Sequence, residues 1–164
     1  MSAGLLRDDD AGVNELADDR ESCLYVLTWT ALRYTKHTIK NDTLIELLRP
    51  FNEVSKVRDF VKGGKFKLVS FLHRDIPVQV RFDGGPHLDK LIADLTSVIA
   101  ARYEALPSPS YTEASRIEIL LKNLRNAAMD SLKRRGWLVE TFKRHLDAGS
   151  WQSLDEVVKQ SIDG

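Results

Sequence analysis

Asp18-Asp19-Arg20-Glu21-Ser22-Cys23-Leu24-Tyr25-Val26-Leu27-Thr28-Trp29-Thr30-Ala31-Leu32-Arg33-Tyr34 is the stretch on which the fold turns. From Cys23 to Leu32 it is almost continuously apolar, a pattern that fits a buried strand as well as a buried helix. Two features favour the helix. Asp18 and Glu21 have the spacing of an N-cap and its reciprocal partner, and the run continues to Tyr34, longer than most strands. The β-branched Val26, Thr28 and Thr30 pull the other way. A helix that is apolar on every side has to be enclosed by other elements, so this one is expected to lie inside the domain.

Working outward, Asp42 is placed to cap a short helix carrying Leu44, Ile45, Leu47 and Leu48, with Pro50 as its expected end. Residues 51–61 form a looser segment that Gly63-Gly64 breaks. Residues 65–72 and 77–82 predict a small β-hairpin, because Val78, Val80 and Phe82 alternate with Gln79 and Arg81. Pro86 suits the first position of the next helix. There Leu88, Leu91, Ile92, Leu95, Val98, Ile99 and Tyr103 form one apolar stripe. Ser110 and Glu113 offer a second capping-box spacing before a helix bearing Ile117, Leu120, Leu121, Leu124, Ala128 and Leu132, which Gly136 stops. A shorter helix carries Trp137, Leu138, Phe142 and Leu146. A last one, capped by Ser153 with Glu156, carries Leu154, Val157, Val158 and Ile162. The expected fold is mainly α with one small hairpin.

The 164 residues hold 24 Lys+Arg and 24 Asp+Glu. That length is enough for one domain with a real core. A charge balance of zero argues against a dedicated nucleic-acid binder, which needs a clustered basic face. No apolar run approaches the ~20 residues that span a bilayer, so no membrane association is expected. The acidic start, Met1 to Arg20, has neither the basic-then-apolar layout of a secretory signal nor the composition of a transit peptide. With Cys23 as its one cysteine the chain can form no internal disulfide. Together these point to an intracellular protein, of cytoplasm or nucleus.

Residue chemistry supplies no catalytic set. His73-Arg74-Asp75 has the letters of a protein-kinase catalytic loop, which requires a magnesium-binding Asn five residues beyond the Asp. Val80 stands there instead, Pro77 replaces the usual Lys, and no D-F-G follows. A polar turn between strands is the simpler reading. His37, His73, His87 and His145 are scattered, so no metal site is expected. Lys133-Arg134-Arg135 reads as a solvated helix end that suits the helix dipole. Asp8-Asp9-Asp10 reads as an acidic turn, and neither Ser22 nor Cys23 has an activating partner at a motif spacing.

One ordered set of motifs carries a resemblance. Met1-Ser2-Ala3-Gly4-Leu5-Leu6-Arg7, then Ala17-Asp18-Asp19-Arg20-Glu21-Ser22-Cys23-Leu24-Tyr25-Val26-Leu27, resembles the end of the activation segment and the opening of the central C-lobe helix in fungal-type protein kinases. The Asp-Asp-x-Glu-Ser opening is also similar to that of casein-kinase-like enzymes. The resemblance continues through Pro86-His87-Leu88-Asp89-Lys90-Leu91-Ile92 to Tyr103, and again at Trp137-Leu138-Val139-Glu140-Thr141-Phe142 and Ser150-Trp151. It implies that residues 1–17 end an activation-segment-like region and that 18–164 are a helical kinase C-lobe fragment. It also implies supporting roles at the helix opening: Asp19 as the acid that bonds the catalytic-loop backbone, with Asp18, Glu21 and Ser22 holding the start of the helix. An enclosed apolar helix belongs at that place in such a lobe.

The family's glycine-rich loop, ATP-contacting Lys, catalytic H-R-D and D-F-G all precede the region matched by Met1. The resemblance therefore implies no cofactor for this chain, with ATP and Mg expected only for a full-length form that transfers phosphate to Ser or Thr. The missing kinase N-lobe, or an unknown protein partner, would be what it binds. The alternative is a non-catalytic helical interaction module or pseudokinase remnant. Either is expected to leave apolar residues exposed where a neighbour is absent.

Overall fold

The computed structural model describes residues 15–52, 55–57, 60–62, 80–83, 86–103, 116–148 and 151. It is mainly helical, with α1 (Leu16–Tyr34), α2 (Asn41–Asn52), α3 (Pro86–Ala100), α4 (Arg116–Lys133) and α5 (Trp137–Asp147). Two short strands, β1 (Ser55–Val57) and β2 (Phe60–Lys62), pair antiparallel with Ser55 opposite Lys62. No helix among the described residues is long and apolar enough to cross a membrane.

The decisive stretch is a helix, but it starts earlier than its capping pattern implied. Glu15 is the N-cap, in extended conformation, and Asp18 is its reciprocal partner: the Asp18 carboxylate accepts the Glu15 N–H at 2.8 Å. The acid-rich opening made a second register look equally good, and the structure uses the one three residues upstream. The boundary expected between residues 17 and 18 thus falls inside α1. The helix is enclosed on one side, where Leu24, Tyr25, Thr28, Ala31 and Leu32 are buried. Its other side is not, since Val26 is 66% exposed. The expectation of enclosure on every side is corrected to burial of one face.

α3 is the second axis of the core. Leu91, Ile92, Leu95 and Ile99 are all at most 2% exposed, and they meet Leu24 and Leu32 of α1, Leu44 and Leu48 of α2, Leu132 of α4 and Trp137 in one cluster. The stripe predicted for this helix is the one it buries, and Pro86 is its first residue. Burying each such side chain contributes about 1.5–3 kcal/mol, which is why these two helices set the positions of the rest.

Two local expectations are corrected. α2 runs on to Asn52, so Pro50 lies in its last turn rather than ending it; there a missing N–H costs a single bond. A hairpin lies at 55–62, in the segment expected to be irregular. The hairpin expected over 65–82 lies outside the described residues except at its end. There Val80 and Phe82 are buried and Arg81 is exposed, as the alternation required. That end bridges the chain just after α1: Phe82 pairs with His37, Thr38 N–H bonds the Arg81 carbonyl, and Asp83 N–H bonds that of Lys36. In α4, Leu132 of the apolar stripe is buried, whereas Leu120, Leu121 and Leu124 are exposed. The helix expected over residues 153–162 and the segment 1–14 lie outside the described residues.

Candidate functional site

The opening of α1 gathers an unusual set of buried polar groups. Asp18, Arg20 and Glu21 are at most 3% exposed, although Asp, Glu and Arg are seldom buried unless paired. The partners of the two carboxylates come from the turn after α3. The Arg102 guanidinium donates to Asp18 at 2.7 Å and lies 3.6 Å from both Glu21 and Glu15. The Tyr103 hydroxyl donates to the Glu21 carboxylate. One cation and one phenol therefore hold two buried carboxylates. Burial alone would lower the Arg102 ionisation, but the Asp18 bond and the charges of Tyr103, Asp18 and Glu21 outweigh it, and the guanidinium is held above its ordinary value. Tyr25 packs beside them, and burial first, then the Glu21 charge, pushes its phenol well above the ordinary range.

Arg20 faces the other way. It donates to the carbonyls of Ser131, at 3.1 Å, and Arg134 at the C-terminal end of α4, and its guanidinium lies 5.7 Å from the Trp137 ring centre. A helix C-terminus leaves carbonyls unpaired, and Arg20 satisfies them from another element. Burial, then the nearby Arg134 charge, lowers its ionisation, which stays far above neutral pH. α1 is thus locked at its start to both α3 and α4.

Of the residues singled out from the sequence, Asp18 and Glu21 come together on Arg102. Asp19 faces solvent and Ser22 is half-buried, and neither joins this group. Asp19, which the resemblance singles out, is thus the outward-facing member of the acidic pair. Arg20, Arg102, Tyr103 and Tyr25 carry the site as much as the acids do. A charged residue inside the apolar register of α1, as Arg20 is, was the one available signal for a buried partner; Arg102-Tyr103 closing α3 carried none.

The other candidates are structural too. His145 on α5 donates from Nε2 to Asp94 at 2.9 Å, and its carbonyl accepts the Trp151 indole N–H at 3.0 Å. His37 donates to the Leu32 carbonyl at 3.1 Å. Lys133, Arg134 and Arg135 are exposed, and Arg134 pairs with Glu140 at 2.7 Å. Cys23 is half-buried and burial pushes its thiol up, away from nucleophilic character. Among the described residues no group of three His, Cys, Asp or Glu side chains is placed to hold a metal ion. His73-Arg74-Asp75 and Asp8-Asp9-Asp10 lie outside the described residues.

What α4 offers outward is different in kind. Ile119, Leu120, Leu121 and Leu124 are 47–59% exposed on two successive turns. Scattered exposed apolar residues are ordinary, but Leu120, Leu121 and Leu124 fall at i, i+1 and i+4 and share one side of α4. Compared with models of known protein families, with curated proteins and with solved structures, the chain matches none.

Proposed function

We propose that this chain is a non-catalytic helical binding module whose contact surface is the apolar face of α4. The observation that carries the reading is the contrast between the two polar and apolar outliers. The buried charges at the start of α1 are engaged by Arg102 and by carbonyls at the end of α4 and so hold helices together, whereas Leu120, Leu121 and Leu124 of α4 are about half exposed. Recognition through an amphipathic helix with leucines at such spacing is a common mode of protein contact. Replacing Leu120 and Leu124 by Glu should leave unfolding free energy within about 1 kcal/mol of the parent, as for surface sites. A loss of ~3 kcal/mol or more, the cost of burying unpaired charge, would make these residues core and sink the reading.

The build of the module is proposed to be the helical C-lobe portion of a protein-kinase-like fold of the fungal type. Support comes from the motif order and from the buried Asp18 and Glu21 at the opening of a helix enclosed along one face. In this reading the partner is the kinase N-lobe or another protein, and ATP-dependent transfer to Ser or Thr belongs to a longer form that carries the glycine-rich loop, H-R-D and D-F-G. Reading the transcript in frame upstream of Met1 tests it. Those motifs in order would support it, and their absence would leave the binding module alone.

A further inference from the structure

We propose that α4 is built in two parts of unequal stability: residues 116–124, which present the leucines, open and close as a helix end while residues 125–133 stay docked. This rests on reading that face as a contact surface and adds how its presentation is controlled. The later part of α4 is held by several elements. Leu132 is 1% exposed, Met129 packs half-buried on the core, and Arg20 donates to the carbonyls of Ser131 and Arg134. Arg125 donates from Nε to the Ala101 carbonyl at 3.1 Å. All of these contacts lie at Arg125 or beyond.

Toward the start of the helix the burial stops. Six consecutive residues, Ile119 to Leu124, are exposed, more than one and a half turns of helix. Glu118 and Arg125 on either side of them are half-buried, and both are charged. From Glu118 to Arg125 the helix therefore buries no apolar side chain. Opening residues 116–124 gives up little buried apolar area and no helix nucleus, because the docked part stays in place. It costs helix hydrogen bonds whose propagation is close to neutral per residue, and Ile119 and Asn123 are weaker helix formers than Ala or Leu. A helix end of this kind opens locally, without the global fold. A contact through Leu120, Leu121 and Leu124 needs the end closed. Its apparent affinity then scales with the fraction of chains in which it is closed, so helix propensity at exposed positions beside the leucines sets the strength of binding.

Amide hydrogen exchange of the full chain, read residue by residue by NMR, tests this. The amides of residues 122–124 bond carbonyls of residues 118–120 and should exchange within about tenfold of the unstructured rate. Those of residues 129–133 should be slowed at least ~100-fold more. A difference below about tenfold between the two sets would overturn the proposal, whether both are protected or both are open. Asn123→Ala supplies a second readout. It should raise protection at residues 122–124 about threefold through helix propensity and leave the urea midpoint unchanged. A midpoint that rises instead would place residues 116–124 in the cooperative fold and overturn the proposal. The contact surface is judged apart, by the urea midpoint of the Leu120→Glu, Leu124→Glu variant. Uniform protection along α4 with an unchanged midpoint in that variant defeats the conditional helix end alone, whereas a lowered midpoint defeats the contact surface.

Discussion

Replacing Arg102 by Met keeps most of the side-chain volume and removes the charge. In the structure this guanidinium lies 2.7 Å from Asp18 and 3.6 Å from Glu21, whose side chains are 4% and 0% exposed. Asp18 would keep the Glu15 N–H and Glu21 the Tyr103 hydroxyl, but both buried carboxylates would lose the Arg102 charge. Breaking a buried pair from one side costs about 3–5 kcal/mol, a large part of the ~5–15 kcal/mol that holds a domain folded. Urea titration followed by tryptophan fluorescence would read it. The deficit should be largest near neutral pH. It should shrink on acidification toward about pH 4, because burial without the Arg102 charge favours protonated carboxyls in the variant. A loss below about 1 kcal/mol, flat with pH, would mean that the group behaves as a solvated surface pair and would refute the reasoning.

Other outcomes follow from the same geometry. Arg20→Ala should cost about 2–3 kcal/mol, since buried carbonyls at the end of α4 lose a charged donor, and hydrogen exchange should accelerate at residues 131–137 before it does elsewhere. Leu32→Ala should cost about 2–5 kcal/mol, while Val26→Ala on the exposed side of the same helix should stay within about 0.5 kcal/mol; comparable losses would contradict the one-sided burial. The Cys23 thiol, pushed up by burial, should react with a disulfide reagent at least tenfold more slowly in the folded chain than in urea at neutral pH, the rate climbing as pH rises above the ordinary thiol range. An equal rate in both states would contradict that burial.

The legible part of the fold was the part governed by periodicity. The α3 stripe from Leu88 to Ile99 named its buried residues because an apolar face repeated over about three turns has one way to pack. The α4 stripe had equal quality and failed as a guide to the core. Periodicity identifies an apolar face but not whether anything covers it: Leu132 is buried, whereas Leu120, Leu121 and Leu124 are exposed. In α5 the expected apolar residues were Trp137, Leu138, Phe142 and Leu146; Trp137 is buried and Leu138 and Phe142 pack half-buried on the core, but Leu146 is exposed and the polar Thr141 and His145 are buried instead. Local bonds decide that rotation, since Thr141 satisfies itself on the Trp137 carbonyl at 2.8 Å and His145 finds Asp94. Half of the polar site was legible as well. Asp18 and Glu21 stood out by spacing, but their use was misread as capping in place, because the partners Arg102 and Tyr103 lie more than 80 residues away in sequence.

The proposed function is binding through a contact surface and not phosphoryl transfer. Titrating the full chain with Mg-ATP in a calorimeter, alongside incubation with γ-labelled ATP, tests it most directly. The account predicts no saturable heat up to millimolar nucleotide and no label on the chain or on a general protein substrate. Saturable one-to-one binding with transfer of the label would contradict it.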